Sequence, residues 1–213
     1  MMASPKESYF EKRGKILVEN LKKRHFEACY CASKEEALEA ALKWIPEGVT
    51  VSWGGALSCQ QIGLLDAVRR GNYEPIDRDL CKMAQEREQA QRNALFADVF
   101  LTGANALSID GQMVNVDGTG NRVAAIVYGP KSVLVVAGMN KVMDNLDDAI
   151  RRARTVAAPM NKQRFDLETP CAHTGICVDC KSEACICNQI VITRHCRPAG
   201  RIKFILVGEE LGF

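Results

Sequence analysis

Six of the ten cysteines in this sequence lie within one stretch of 26 residues, near its C-terminal end. They are Cys171, Cys177, Cys180, Cys185, Cys187 and Cys196. Thiolates this close together, with only two residues between Cys177 and Cys180, can converge on one soft metal centre. The pattern predicts a metal site that holds either a zinc ion or an iron–sulfur cluster.

Three short glycine-containing loops are candidates for ligand binding, because each follows a predicted strand. They span residues 53–56, 102–105 and 117–121. In open α/β sheets, ligands bind outside the carboxyl ends of the strands, and glycine lets the backbone approach them closely. None of the loops fits G-x-G-x-x-G or the P-loop pattern, so the sequence favours a small anion bearing a phosphate or a carboxylate. The candidate ligand-binding residues are Gly54, Gly55, Ser58, Thr102, Gly103, Gly118, Gly120 and Asn121.

The sequence offers few candidates for catalysis. Asp117 and Asp110 could act as an acid or a base near the ligand, and Asp117 is the one retained as a candidate catalytic residue. Asp before Gly is also favoured in turns, where it forms local hydrogen bonds, so both interpretations stay open. With only three histidines in the chain, no Ser–His–Asp or Cys–His arrangement can be assigned.

Alternating helical and strand-like segments predict an α/β fold, with a mainly parallel open sheet and flanking helices. A single domain over residues 6–213 would contain the Cys-rich segment, residues 171–196, before its last strand. The predicted helices span 6–26, 34–44, 58–70, 78–97 and 146–157, with a shorter one that ends at Tyr128. The predicted strands span 28–31, 49–52, 98–102, 106–109, 112–116, 132–137 and 202–207. Asp110 and Gly111 suit a type I′ hairpin turn, in which both central residues have positive φ.

Bulk composition excludes some classes of function. The sequence is 47% apolar and 25% charged, with a formal net charge of +2, which argues against a nucleic-acid partner. No stretch approaches the roughly 20 apolar residues of a membrane span, and the N-terminal residues lack the apolar core of a signal peptide. These features predict a cytoplasmic protein, in which clustered cysteines are more often metal ligands than a disulfide framework.

Several segments resemble the lactate-utilisation (LUD) domain family, also known as DUF162. They read VSWGGALSCQQIGL, ADVFLTGANAL, GNRVAAIVYGPKSVLVVAGMNKV and RTVAAPMNKQRF, and the similarity extends over most of residues 10–213. The resemblance implies a fold similar to sugar-phosphate isomerases and CoA transferases, with glycine loops that line the ligand site. It also implies a link to the oxidation of lactate through partner subunits such as iron–sulfur oxidoreductases.

The cysteine segment resembles the tail of one branch of that family, which has a Cys-x5-Cys-x2-Cys-x6-Cys pattern. The resemblance implies four metal ligands: Cys171, Cys177, Cys180 and Cys187. Cys185 and Cys196 stay open as further ligands. Four thiolates suit tetrahedral zinc or a [4Fe–4S] cluster, and the family's link to redox metabolism favours the cluster.

Three functions remain open at this stage. The first is an accessory or redox component of lactate or organic-acid oxidation, which binds a small anion and a cysteine-ligated metal. The second is an isomerase or acyl-transfer enzyme that acts on a phosphorylated or CoA-linked molecule. The third is a non-catalytic binding subunit with a structural zinc ion.

Overall fold

The computed structural model describes residues 3–213 and contains two sheets and nine α-helices in that range. In chain order the elements are α1 (Pro5–Lys23), β1 (Glu27–Cys31), α2 (Lys34–Trp44), β2 (Thr50–Gly54), α3 (Leu57–Gln61), α4 (Leu64–Arg70), β3 (Glu74–Ile76), α5 (Ala84–Asn93), β4 (Val99–Thr102), β5 (Ala106–Ser108), β6 (Met113–Asp117), α6 (Asn121–Val127), β7 (Ser132–Gly138), β8 (Val142–Met143), α7 (Leu146–Arg152), α8 (Ala158–Lys162), α9 (Pro170–Thr174), β9 (Gln189–Thr193) and β10 (Ile202–Val207). No helix within this range is long and apolar enough to cross a membrane.

The larger sheet has six parallel strands in the order β1-β10-β7-β4-β2-β3. Its central strands, β7 and β10, are almost uninterrupted apolar runs, as expected for strands that are covered on both faces. Alternate residues of β10 enter two separate cores: Phe204 packs on one side of the sheet and Ile205 on the other. The prediction of an α/β fold with a mainly parallel open sheet and flanking helices is confirmed.

Helices cover both faces of this sheet. On one side α1 contributes Phe10, Leu17 and Leu21 to the core, and Ser4 and Glu7 form a capping box at its start. On the other side α2 buries Ala37 and Ala41 between the sheet and α4. The two layers fix the sheet, and the loops at the carboxyl ends of its strands extend from this rigid base.

A second sheet of four strands, in the order β8-β5-β6-β9, was not predicted from the sequence. The hairpin of β5 and β6 was expected, but β8 has only two residues and β9 lies inside the Cys-rich segment. β9 pairs antiparallel with β6 along its full length, so that Gln189 lies opposite Asp117. The Cys-rich segment is therefore joined to the third glycine loop by a ladder of backbone hydrogen bonds.

Four local predictions were wrong for identifiable reasons, and three of them fall between residues 58 and 111. Residues 78–97 do not form one helix, because Asp79 turns back to accept a hydrogen bond from the Trp53 indole at 2.9 Å, and α5 begins only at Ala84. The helix expected over 58–70 is broken at Gly63, where φ is +80°. The hairpin turn is not type I′, since positive φ in the turn is confined to Gly111, at +93°.

The helix expected over 146–157 does not stop before Pro159. After α7 the chain forms a π-turn over Ala153–Ala157 and continues directly into α8, with Pro159 in the first turn of that helix. The widened π turn precedes Pro159 directly and replaces the regular α-helical hydrogen bonds that a proline cannot join, so the helical path continues past it.

The core on the α1 side should tolerate loss of volume poorly. Phe204 is fully buried and packs edge-on against Phe26, with ring centroids 5.2 Å apart. We expect Phe204→Ala to lower the free energy of unfolding by roughly 3–5 kcal/mol, because it removes an aromatic ring and leaves a cavity. Urea titration followed by circular dichroism measures this change.

The matched control is Phe96→Ala, because the Phe96 side chain is 87% exposed. We expect that variant to change the free energy of unfolding by less than about 0.5 kcal/mol. Equal effects of the two substitutions would contradict the burial of Phe204.

Candidate functional site

A cleft of about 410 Å³ opens at the carboxyl ends of β2 and β4, between the large sheet and the second sheet. Gly55, Ser58, Gly118 and Asn121 line it, as four of the eight residues predicted to bind ligand. The other four, which do not line the cleft, are Gly54, Thr102, Gly103 and Gly120. Thr102 nevertheless connects two of the loops, since its hydroxyl donates to the Gly54 carbonyl at 2.8 Å. The structure therefore brings the three glycine loops together.

Arg122, in the first turn of α6, joins these loops. One terminal nitrogen donates to Asn115 Oδ1 at 2.7 Å, and the other donates to Asn105 Oδ1 at 2.9 Å and to the Val116 carbonyl at 2.7 Å. Gly55 permits the approach: its φ is +58°, and a Cβ there would lie 2.8 Å from Arg122 Cδ. Arg122 thus fixes the floor of the cleft.

Asp117 holds the third loop and the start of α6. Its two carboxylate oxygens accept hydrogen bonds from the Gly120 and Val123 amides at 3.1 and 3.2 Å. Oδ2 also lies 3.5 Å from Arg122 Nε. These are the local hydrogen bonds expected of an Asp that stabilises a turn. Its assignment as an acid or a base stays a prediction.

The cleft carries an excess of positive charge that the sequence did not reveal. Five cationic side chains line it against two carboxylates, Asp79 and Asp117. The cations are Arg78, Arg87, Arg122, Lys141 and Arg164. Burial lowers the pKa of Arg78; the neighbouring Asp79 opposes this shift, and Arg87 adds to it. Arg78 Nε is buried without a hydrogen-bond partner, and the Asp79 carboxylate lies 3.9 Å from it. An anion in the cleft would relieve this unbalanced charge.

Lys141 is the most deeply buried of the cations in the cleft, with 4% of its surface exposed. It follows β7 in a short 3₁₀ turn, and its ammonium donates to the Ser58 hydroxyl at 3.2 Å. Burial lowers the pKa of Lys141 to about 7, and the charges of Arg152 and Arg122 act in the same direction. The only signal in the sequence is a lysine three residues beyond the end of a buried strand, which is too common to be diagnostic.

A second, smaller cavity of about 70 Å³ lies in the Cys-rich segment. Five cysteines line it: Cys171, Cys177, Cys180, Cys185 and Cys187. Burial and the neighbouring Cys185 thiol raise the pKa of Cys187 to about 12. The structure therefore gathers all four implied metal ligands and Cys185 around one space. We call this space the thiol cavity.

Cys196 lies elsewhere. It is 2% exposed in the core beneath α1, where its sulfur accepts a hydrogen bond from the Ile202 amide at 3.2 Å. Across residues 3–213, no three His, Cys, Asp or Glu side chains converge closely enough to hold a single metal ion as they stand. The thiols of the cavity surround a volume instead of meeting at a point.

One residue, Ile186, lines both the cleft and the thiol cavity. Beside it, the Asn188 side chain donates to the Gly118 carbonyl at 2.9 Å and to the Cys185 carbonyl at 3.1 Å. The third glycine loop and the cysteine loop are thus tied together at the boundary. The two sites are neighbours separated by a single layer of protein.

Comparison with known proteins agrees with this architecture. A DUF162 family protein from Deinococcus radiodurans has a similar structure, with a TM-score of 0.50 and 12% identity over 97% of this chain and 99% of that chain. eIF2B delta from Chaetomium thermophilum matches with a TM-score of 0.36 and 15% identity over 65% of this chain and 57% of that chain, too slight a likeness to bear on function. No curated protein sequence matches the chain.

The parallel sheet, its flanking helices and the loop-lined cleft at its carboxyl edge define an open α/β fold. The sequence profile described as the LUD domain matches residues 14–207, and the chain belongs to this family. The family is associated with lactate utilisation, which supports a general, lactate-related accessory role for this protein.

The environment of Arg122 gives a direct test of the site's construction. We expect Arg122→Lys to lower the free energy of unfolding by roughly 2–4 kcal/mol, because a single ammonium cannot satisfy acceptors arranged for a planar guanidinium. Chemical denaturation is the measurement. Arg92→Lys is the control, since Arg92 is 69% exposed in an i,i+4 pair with Glu88 and should change stability by less than about 0.5 kcal/mol. If Arg122→Lys left the free energy of unfolding unchanged, the loops would not depend on this side chain.

Proposed function

We propose that this protein is an accessory redox component of organic-acid oxidation. It binds a small carboxylate- or phosphate-bearing anion in the basic cleft and an iron–sulfur cluster in the thiol cavity. The observation that carries the proposal is the shared wall at Ile186, which puts an anion site and a sulfur-lined site next to each other. A short distance between the bound anion and the cluster would allow electrons to pass from one to the other.

The charge of the cleft supports the anion half of the proposal. Arg122 is already compensated by Asp117 and by four oxygen acceptors, so it shapes the site without needing a ligand. Arg78 and Lys141 differ, because one has an unused buried donor and the other has only a hydroxyl partner. These two cations are the ones that a carboxylate or phosphate would satisfy.

The donor set supports the metal half. Cys171, Cys177, Cys180 and Cys187 would hold the cluster, since thiolates are the usual ligands of [4Fe–4S] centres. A zinc ion would also accept four thiolates, and the association of the family with lactate utilisation, an oxidation, favours the cluster over zinc. When bound, such a cluster supplies one-electron transfer. A partner subunit such as an iron–sulfur oxidoreductase would dock near Ile176 and Val178, whose side chains are exposed beside the cysteines.

Metal content directly tests whether the thiol cavity holds an iron–sulfur cluster. Protein purified without oxygen should contain about four irons per chain and show a broad visible absorbance that bleaches on reduction. Cys177→Ser and Cys187→Ser should each lose most of the iron. Cys81→Ser is the control, because Cys81 is not part of the thiol cavity, and it should retain the iron. One zinc per chain without visible absorbance would replace the redox proposal by a structural role.

Thermal unfolding in the presence of lactate or inorganic phosphate tests whether the basic cleft binds an anion. An anion at 100 times its Kd should stabilise the fold by about 2.7 kcal/mol, and Arg78→Gln should remove most of that gain. Stabilisation should be larger at pH 6 than at pH 9, because Lys141, with a pKa near 7, is charged at the lower pH and neutral at the higher. Arg92→Gln, on the exposed surface of α5, should behave as the unmodified protein. No shift with any anion would contradict the cleft assignment.

A further inference from the structure

The surroundings of Lys141 differ from those of a lysine that serves only as a positively charged ligand-binding group. Its amine is buried at the cleft and, within residues 3–213, no carboxylate lies within 4.0 Å of it. Its hydrogen-bond partner is the neutral hydroxyl of Ser58, itself 1% exposed. A charged ammonium in such a place is poorly solvated, so the neutral amine is favoured.

The backbone of Gly212 is packed closely against this amine. Gly212 has φ +60°, and a Cβ at that position would lie 2.8 Å from Lys141 Nζ. The Ser58 hydroxyl would lie 3.1 Å from the same Cβ. A side chain at position 212 would therefore collide with the amine, and access to the amine is from the cleft, which both Lys141 and Ser58 line.

The charged groups around Lys141 come from several elements. Arg122 on α6 and Arg152 on α7 are positive, and both disfavour the ammonium. The Cys59 thiol on α3 acts in the opposite direction, but burial raises the pKa of that thiol to about 12 and keeps it protonated. Burial and these neighbours together lower the pKa of Lys141 to about 7, so that a substantial fraction of the amine is neutral near pH 7.

We propose that Lys141 is a nucleophile that forms a reversible imine with a small anion carrying an aldehyde or ketone carbonyl, such as a 2-oxo acid. The inference rests on the anion site of the proposed function and adds a substrate class to it. Arg78 attracts the carboxylate end of the molecule into the cleft, and the carbonyl carbon meets Lys141 Nζ.

The step is balanced without a co-reactant. The amine nitrogen adds to the carbonyl carbon, and one N–H proton moves to the former carbonyl oxygen to give a carbinolamine. Loss of that oxygen as water, with the second N–H hydrogen, leaves a C=N bond in place of the C=O bond. The Ser58 hydroxyl lies at hydrogen-bond distance from the nitrogen and can pass protons during both halves of the exchange.

Reductive trapping tests the inference on the full-length protein. Glyoxylate with cyanoborohydride at pH 7 should modify Lys141 at least about tenfold faster than the exposed Lys82, as read by peptide mass spectrometry, because a neutral amine adds to carbonyls and an ammonium does not. Lactate, which has no carbonyl other than its carboxylate, should protect Lys141 and leave Lys82 unchanged. Labelling of Lys141 no faster than that of Lys82 would overturn the inference.

Two further measurements separate this inference from the proposed function. Arg78→Gln should slow labelling of Lys141 by glyoxylate roughly fivefold but leave labelling by the uncharged propionaldehyde unchanged, since only the former is guided by charge. Lactate that stabilises the protein while glyoxylate fails to label Lys141 would overturn the imine and leave the anion site intact. Absence of both effects would overturn the anion site and the imine together.

Discussion

The arrangement of the cleft depends on one buried guanidinium. Removing a charge from water costs several kcal/mol, and the cost is offset only if every donor finds an acceptor. Arg122 meets this condition by drawing on the Gly103 and Val116 carbonyls, two asparagine amides and Asp117, which belong to different segments of the chain. Because these acceptors lie on the second and third glycine loops and the strands beside them, satisfying a single side chain also fixes their mutual positions.

A distinction follows between charges that build the site and charges that the site offers. Arg122 and Asp117 neutralise each other and serve the fold, which is why the aspartate that looked reactive in the sequence has both oxygens engaged by backbone amides. Arg78 has only a long ion pair with Asp79, at 3.9 Å, and Lys141 has no carboxylate partner among the described residues, so both keep unused hydrogen-bonding capacity. Buried groups left in this condition reduce stability, and function is the usual reason that a protein tolerates them.

Local patterns explain how far the sequence alone could reach. Apolar runs such as β7 and β10 and the glycines after strands are short-range signals, and they predicted the parallel sheet and the convergence of the loops. Arg122 and Lys141 could not be recognised in this way, because an arginine after a glycine and a lysine after a strand are ordinary until the fold buries them. The pairing of β9 with β6 was equally hidden, since it joins residues more than 70 positions apart in a segment whose composition suggested only metal ligands.

The ladder between β6 and β9 also has a thermodynamic meaning. It makes the cysteine loop and the third glycine loop parts of one mechanical unit, with Asn188 as an additional clamp. If the proposed metal and anion bind at these two places, the ladder offers a path for energetic coupling between them. Any such coupling is reciprocal: the factor by which the metal changes the affinity for the anion equals the factor by which the anion changes the affinity for the metal. If the cluster changes its charge by one electron, the same reciprocity makes its reduction potential a function of cleft occupancy, so that the protein would report the presence of its ligand as a voltage.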